Sequence, residues 1–313
     1  MSTFADLAFA GAGRFYKGNL HTHSSASDGA RSPAEVCDLY REAGYDFLSL
    51  TDHFLPRYGF PIVDTRPFRC EGFTTILGAE LHAPATAAGE MWHLLAVGLP
   101  LDFAPPRAGE TAPALAARSL AAGAFLAIPH PAWYALTVDD AMAIEGVHAI
   151  EVYNHTSAVR TARGDGMYLL DQLLTRRLLI QACASDDAHL HCDDAFGAWV
   201  MVKASANEPD ALLDSLKAGR YYATQGPLIE EIEWSAEAVT VRCTPAAAII
   251  VLGRGSRAEQ SLKAGQTCAS LPLERLRPGG FARIVVIDGD GRRAWSNPVW
   301  LDGMPPPAST GQG

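Results

Sequence analysis

The stretch Asp46-Phe47-Leu48-Ser49-Leu50-Thr51-Asp52-His53 decides how this chain reads. A short, mostly apolar run ends at once on a threonine, an acid and an imidazole. Such a run, bounded by polar residues, suits a strand buried on both faces. The pattern recurs along the chain. Residues 76–79 run into Glu80, residues 124–128 into Pro129-His130-Pro131, and residues 178–184 toward Asp186-Asp187-Ala188-His189. A first candidate strand from residue 15 ends on His21-Thr22-His23. If these runs are parallel barrel strands, their C-terminal ends converge on one face.

The residues at those ends are metal-ligand types. His21 and His23 share a face because strand side chains alternate with period two. The polar loop that follows, Ser24 to Gly29, allows Asp28 to fold back over the same site. His53 is the candidate ligand of its own strand, and Asp52 either orients an imidazole or caps the next turn. Glu80, an anion at a buried strand end, needs a cationic partner and is placed to bridge two ions. His93 precedes the run 94–97, so its strand runs antiparallel or the ligand comes from a loop. His130 lies between two prolines that restrict the backbone. Asp187 stands two residues before His189 and points to the same side in an extended segment, which favours it over Asp186. His82 carries no separate signal, and Cys192, beside the last cluster, reads as a spectator thiol. So many nitrogen and oxygen donors suit two or three divalent ions better than one.

Composition narrows the class. The chain has 313 residues, 48% hydrophobic and 19% charged, which fits a globular protein. A net charge of −10 argues against binding a nucleic-acid backbone. No apolar run is long enough for a membrane span, and residues 1–13 lack the basic start of a signal peptide. The six cysteines form no CxxC, as expected of reduced thiols in a cytoplasm. Neither GxGxxG nor GxxxxGK[ST] occurs, so no nucleotide loop is expected.

Up to about residue 225 strand and helix signals alternate, as in a parallel β/α barrel. Ser32-Pro33-Ala34-Glu35 opens a helix with a capping box and an N-terminal proline. Further helices are expected over 113–122, 166–176 and 209–218. The strands before residue 205 number nearer seven than eight. A doubly wound open sheet is the competing architecture, but it gathers ligands at one crevice instead of at nearly every strand end. After Thr224-Gln225-Gly226-Pro227 helical periodicity stops. Short β runs follow at 228–234, 239–243, 248–252, 282–287 and 294–301, with Asp288-Gly289-Asp290-Gly291 as a hairpin turn. The expected plan is a metallohydrolase barrel at 1–226, a small β-sandwich at 227–302 and a disordered Pro/Ser/Gly tail at 303–313.

In order along the chain, His21-Thr22-His23, Ser27-Asp28-Gly29, Leu50-Thr51-Asp52-His53, Gly78-Ala79-Glu80, His130-Pro131 and Ser185-Asp186-Asp187-Ala188-His189 resemble the motifs of the PHP (polymerase and histidinol phosphatase) family. The resemblance covers residues 15–225. It implies a distorted seven-stranded β/α barrel with two or three ions of Mn, Zn or Fe. By the same resemblance His21, His23, Glu80 and Asp187 hold one ion, Glu80, His93 and His130 a second, and Asp28, His53 and His189 a third. Where the family often has Gly-Ser-Asp before its last histidine, this chain has Ser185 followed by two aspartates. The added C-terminal β-domain is similar to two-domain predicted phosphoesterases and to members grouped with carbaryl hydrolase.

The expected activity is hydrolysis of a small phosphate ester by a hydroxide shared between the ions. Asp52 or His155 is the candidate proton donor to the leaving group. Arg57, Arg160 and Arg163 are candidates for holding the phosphate. The same chemistry would cleave a carboxyl or carbamate ester. A non-catalytic metal-binding scaffold is the alternative of another class.

Overall fold

A computed structural model of the chain describes residues 8–9 and 11–303. The N-terminal stretch 1–13 and the tail 303–313 therefore lie, save for 8–9, 11–13 and 303, outside the described residues.

The first unit comprises β1 (Arg14–Asn19), α1 (Pro33–Glu42), β2 (Phe47–Leu50), β3 (His53–Phe54), β4 (Thr74–Ala83), β5 (Trp92–Val97), α2 (Ala112–Ala121), β6 (Phe125–Ile128), α3 (Val138–Met142), β7 (Ala149–Asn154), α4 (His155–Thr161), α5 (Met167–Thr175), β8 (Gln181–Ser185), β9 (Trp199–Ala204), α6 (Pro209–Lys217) and β10 (Tyr221–Thr224). Helix α1 starts where its capping box reads. Ser32 Oγ accepts from the Glu35 N–H, and the Glu35 carboxylate accepts from the Ser32 N–H at 2.8 Å. Two short helices, α3 and α4, carry no periodic signal long enough to be foreseen.

Strands β1, β2, β4, β5, β6, β7 and β8 are hydrogen-bonded in that order. The pairs β1–β2, β2–β4, β6–β7 and β7–β8 are parallel, whereas β5 is antiparallel to both β4 and β6. The chain after β8 meets the chain after β1. Thr22 and Ala188 form a parallel bridge, His23 N–H donates to Ala188 O at 2.9 Å, and Asp187 N–H donates to His21 O at 2.9 Å. Ends of the first and last strands of the set are thereby brought together. Because β5 runs backward, its beginning lies beside the ends of its neighbours, and His82 of β4 pairs with His93 of β5. This resolves the two readings of His93 in favour of a reversed strand.

Between the strands lies an apolar cluster that includes Tyr16, Leu20, Phe47, Ile76, Leu95, Phe125 and Ala149, all buried. Gly18 makes room for it: a Cβ there would lie 2.1 Å from the Phe47 ring. A second cluster packs Leu115 and Ala116 of α2 and Leu170, Leu173 and Leu174 of α5 against strands.

The rest of the chain forms β11 (Ile229–Trp234), β12 (Ala238–Ala246), β13 (Ala248–Leu252), β14 (Ala258–Ser261), β15 (Gln266–Pro272), β16 (Phe281–Ile287), β17 (Arg293–Ser296) and β18 (Val299–Trp300). Two antiparallel layers are present, with Ile229, Val241, Ile249, Ile284 and Val286 buried together. One layer is the separate sheet β11–β12–β15. The other is continuous with the first unit. Strands β14, β13, β16 and β17 continue the main sheet, because β17 pairs with β10 through Tyr222–Ser296, Ala223–Trp295 and Thr224–Ala294. The physical reason is edge satisfaction: β10 would otherwise present unpaired N–H and C=O groups. Phe281, Val285 and Trp295 also join the cluster under α5, and Arg283 of β16 holds Asp171 of α5 at 2.9 and 2.8 Å.

Candidate metal centre

Glu80 is fully buried near the end of β4, and six imidazoles surround its carboxylate. Oε1 lies 2.7 Å from His93 Nδ1, 3.0 Å from His130 Nε2 and 3.6 Å from His21 Nε2. Oε2 lies 2.6 Å from His53 Nδ1, 3.7 Å from His23 Nε2 and 3.9 Å from His82 Nε2. Asp187 closes one side, with Oδ1 2.9 Å from His23 Nε2 and 3.2 Å from His21 Nε2. Asp28, on the polar loop after β1, faces His53 Nε2 and His189 Nε2, each at 3.5 Å. The structure thus brings together His21, His23, Asp28, His53, Glu80, His93, His130, Asp187 and His189.

Donor atoms fall into overlapping groups, each within 4.8 Å: His23, Asp28, His53 and His189; His53, Glu80, His82 and His93; His21, Glu80 and His130; His21, His23 and Asp187. The residues fit divalent ions on two further grounds. Buried His21 Nε2, His23 Nδ1, Glu80 Oε2 and His130 Nδ1 have no hydrogen-bond partner, although short approaches surround several of them. And the ion pairs seen for Glu80, Asp187 and Asp28 are all with histidines, so none of these carboxylates has a lysine or arginine partner among the described residues. Buried anions such as Glu80 and Asp187 require cations.

Charge states follow the same geometry. Burial opposes ionisation of Glu80, but His93, His53 and His21 outweigh it and hold the carboxyl well below its ordinary range. Burial likewise opposes ionisation of Asp187, which His21, His23 and His189 pull down. Burial together with His189 and His53 pushes His23 down to about 3, leaving a neutral imidazole. Burial opposes charge on His53 too, yet Glu80 and Asp28 raise it to about 10. A cation bound here would therefore compete with a proton.

Several supporting residues escaped the sequence reading. Glu151 of β7, fully buried, accepts from His21 Nδ1 at 3.2 Å, His130 N–H at 2.7 Å, Asn154 Nδ2 at 2.8 Å and Ser185 Oγ. It is a lone acid inside an apolar strand, and that burial was the available signal. His82, buried in β4, joins the cluster through Nε2. Asp186 faces away from the cavity. It accepts from Tyr40 Oη at 2.6 Å and from the N–H groups of Phe196, Gly197 and Ala198. Burial lifts it to about 6.

A cavity of about 490 Å³ opens over the cluster. Arg57 and Arg160 line it together with Leu55, Met91 and Trp133. Three expectations are corrected here. Arg163 is not among the lining residues; its Nη1 donates to Trp133 O at 3.2 Å. Asp52 is buried away from the cavity and accepts from Ser24 N–H, Ser24 Oγ and Ser27 Oγ at 2.8, 2.8 and 2.6 Å. It pins the loop that carries Asp28. His155 also stands outside, with Nδ1 3.2 Å from Tyr153 Oη and its ring against Gly197. Neither is placed to protonate a leaving group in the cavity. Cys192 is exposed and outside the lining as well.

No family model matches the chain, and no curated protein matches it. Solved structures do. A two-domain protein from Bacteroides vulgatus, described as containing a predicted PHP-like metal-dependent phosphoesterase, aligns with a TM-score of 0.52 at 18% identity. The alignment covers 88% of this chain and 91% of that one. An amidohydrolase from Chromobacterium violaceum, solved with sulfate and no metal, aligns with a TM-score of 0.43 at 15% identity, over 57% of this chain and 89% of that one. The chain is thus a mixed α/β protein that shares its fold with the two-domain PHP-like protein.

Proposed function

We propose that the protein is a metal-dependent hydrolase of the PHP type and that it cleaves a small phosphate ester. The observation that carries this reading is Glu80, buried with no lysine or arginine partner among six imidazoles. The strand set β1, β2 and β4–β8, with its ends joined, is read as the distorted seven-stranded barrel. The fold shared with a protein described as a PHP-like phosphoesterase supports it at that level.

His21, His23, Asp187 and Glu80 would hold one ion, Glu80, His93 and His130 a second, and Asp28, His53 and His189 a third. Mn, Zn and Fe suit such donors. The chemistry that divalent ions supply when bound is ionisation of water near neutral pH and neutralisation of charge on the ester oxygens. The protein's own residues do the rest. Glu151 fixes His21 by accepting from Nδ1, which leaves Nε2 free toward Asp187 and Glu80. Arg57 and Arg160 stand in the cavity wall where they can hold an anionic group. Leu55, Met91 and Trp133 give the wall an apolar side for the rest of the substrate.

That apolar side favours the second reading, a carboxyl or carbamate ester. A panel of phosphate, carboxyl and carbamate esters assayed with Mn²⁺ and Zn²⁺ separates the two. We expect turnover of phosphate esters that a chelator abolishes. A purified protein that binds no divalent ion would end the proposal, and one that binds ions but cleaves none of these esters would favour a metal-binding scaffold.

A further inference from the structure

We propose that His82 is itself a metal ligand, which joins Glu80 and His93 around one ion. The inference rests on the metal-dependent reading above and deepens it. It starts from strand geometry. Glu80 and His82 stand two residues apart on β4, so both side chains leave the same face. Antiparallel β5 sets His93 directly opposite His82, and the two rings meet edge to face with centroids 4.4 Å apart. His82 Nε2 lies 3.0 Å from His53 Nδ1 and 3.9 Å from Glu80 Oε2. One donor atom from each of His53, Glu80, His82 and His93 lies within 4.8 Å of the others.

Burial makes a purely structural role a poor account of this residue. His82 is 5% exposed, and its Nδ1 has no hydrogen-bond partner. Here the one engaged nitrogen is aimed into a cluster of other donors. His53 presents Nδ1 to this group and Nε2 to Asp28. If His53 serves the ion beside Asp28, and His130 serves the group it forms with His21 and Glu80 instead of the second ion assigned above, the position next to Glu80 still keeps Glu80, His82 and His93. Three protein ligands with an open place is the arrangement of a reactive zinc site, and two imidazoles with a carboxylate suit Zn²⁺.

The test is metal binding. Wild type and His82→Ala are stripped of metal and titrated with Zn²⁺ against a chromophoric chelator, then with Co²⁺ while the visible spectrum is followed. We expect His82→Ala to weaken one ion at least about 10-fold, to leave the remaining ions unchanged and to alter the Co²⁺ band of the affected site. His82→Asp, which restores an oxygen donor, should recover part of the loss. Equal stoichiometry and affinity in wild type and folded His82→Ala would overturn the assignment and leave the metal-dependent reading standing. A wild type that binds no ion would overturn both. Should His82→Ala not fold, as judged by circular dichroism, His82→Gln decides by the same criterion.

Discussion

Replacing Glu151 by glutamine changes one atom of a buried carboxylate and tests how the metal centre is aligned. Its two oxygens face four donors. Oε1 faces His21 Nδ1 and Ser185 Oγ, and Oε2 faces His130 N–H and Asn154 Nδ2. A glutamine amide keeps one acceptor and turns the other position into a donor. The backbone N–H of His130 cannot reverse its role. Asn154 cannot flip cheaply, since its Oδ1 caps α4 by accepting from Ser157 N–H at 2.8 Å. The amide oxygen therefore stays with His130 and Asn154, and the NH₂ turns toward Ser185 and His21. Ser185 can rotate its hydroxyl. His21 can accept only by moving its proton to Nε2, the nitrogen that faces Asp187 at 3.2 Å and Glu80 at 3.6 Å. A protonated Nε2 binds no cation. Fold stability should drop by only about 1 kcal/mol, the scale of one altered hydrogen bond. Metal affinity should fall about 10- to 100-fold, the range seen when a partner of a ligating histidine is lost. Thermal melts of the metal-free protein and chelator competition measure the two separately, and ¹⁵N chemical shifts of His21 report the tautomer. Unchanged metal affinity with an unchanged His21 tautomer would refute the argument.

Asp187→Ala should abolish hydrolysis and release an ion while circular dichroism stays native; full activity in this variant would show that the ligand set is misassigned. Deleting residues 228–313 should prevent folding, because Phe281, Val285 and Trp295 belong to the cluster under α5 and β17 covers the edge of β10; a soluble, cooperatively melting fragment would contradict this. His148 gives a pH test remote from the cavity. Its Nδ1 accepts from Leu126 N–H at 3.1 Å, and burial with help from Lys217 pushes the ring down to about 4 from 6.5. The folded state prefers the neutral ring, so this stability is complete above pH 6.5 and fades as pH falls toward 4. The loss at pH 5 should be about 1 to 2 kcal/mol after allowance for partial exposure. His148→Gln, which keeps an acceptor but cannot ionise, should flatten the melting-temperature profile between pH 7 and pH 5; an unaltered profile would exclude His148 as its cause.

What could be read beforehand was whatever depends on strand ends. His21, His53, Glu80, His130 and Asp187 each follow or close an apolar run, and a sheet of mainly parallel strands delivers such ends to one side. His93 was ambiguous because a histidine at the start of a strand reaches that side only if the strand is reversed, and direction is a long-range property. Glu151 and His82 were missed for a different reason. Each lies within a strand, and its role depends on which neighbour faces it across the sheet. Asp52 and Asp186 look like site acids in sequence, yet each is consumed by local donors, Ser24 and Ser27 in one case and the turn at Phe196–Ala198 in the other. The C-terminal strands β14 and β15 were overlooked because their residues are largely polar or exposed and carry no alternating pattern. The joining of β17 to β10 is backbone pairing, to which side-chain patterns are blind.

His130 and Asp187 both hold positive φ angles, 30° and 58°. For residues with a Cβ such backbone costs on the order of 1–3 kcal/mol each. Glycine would relax either position, and laboratory selection for heat resistance alone would be drawn toward it. Any such gain at 130 or 187 would delete a donor to the cavity, so hardier descendants of this chain selected without an activity screen should include some whose added stability came at the expense of the site.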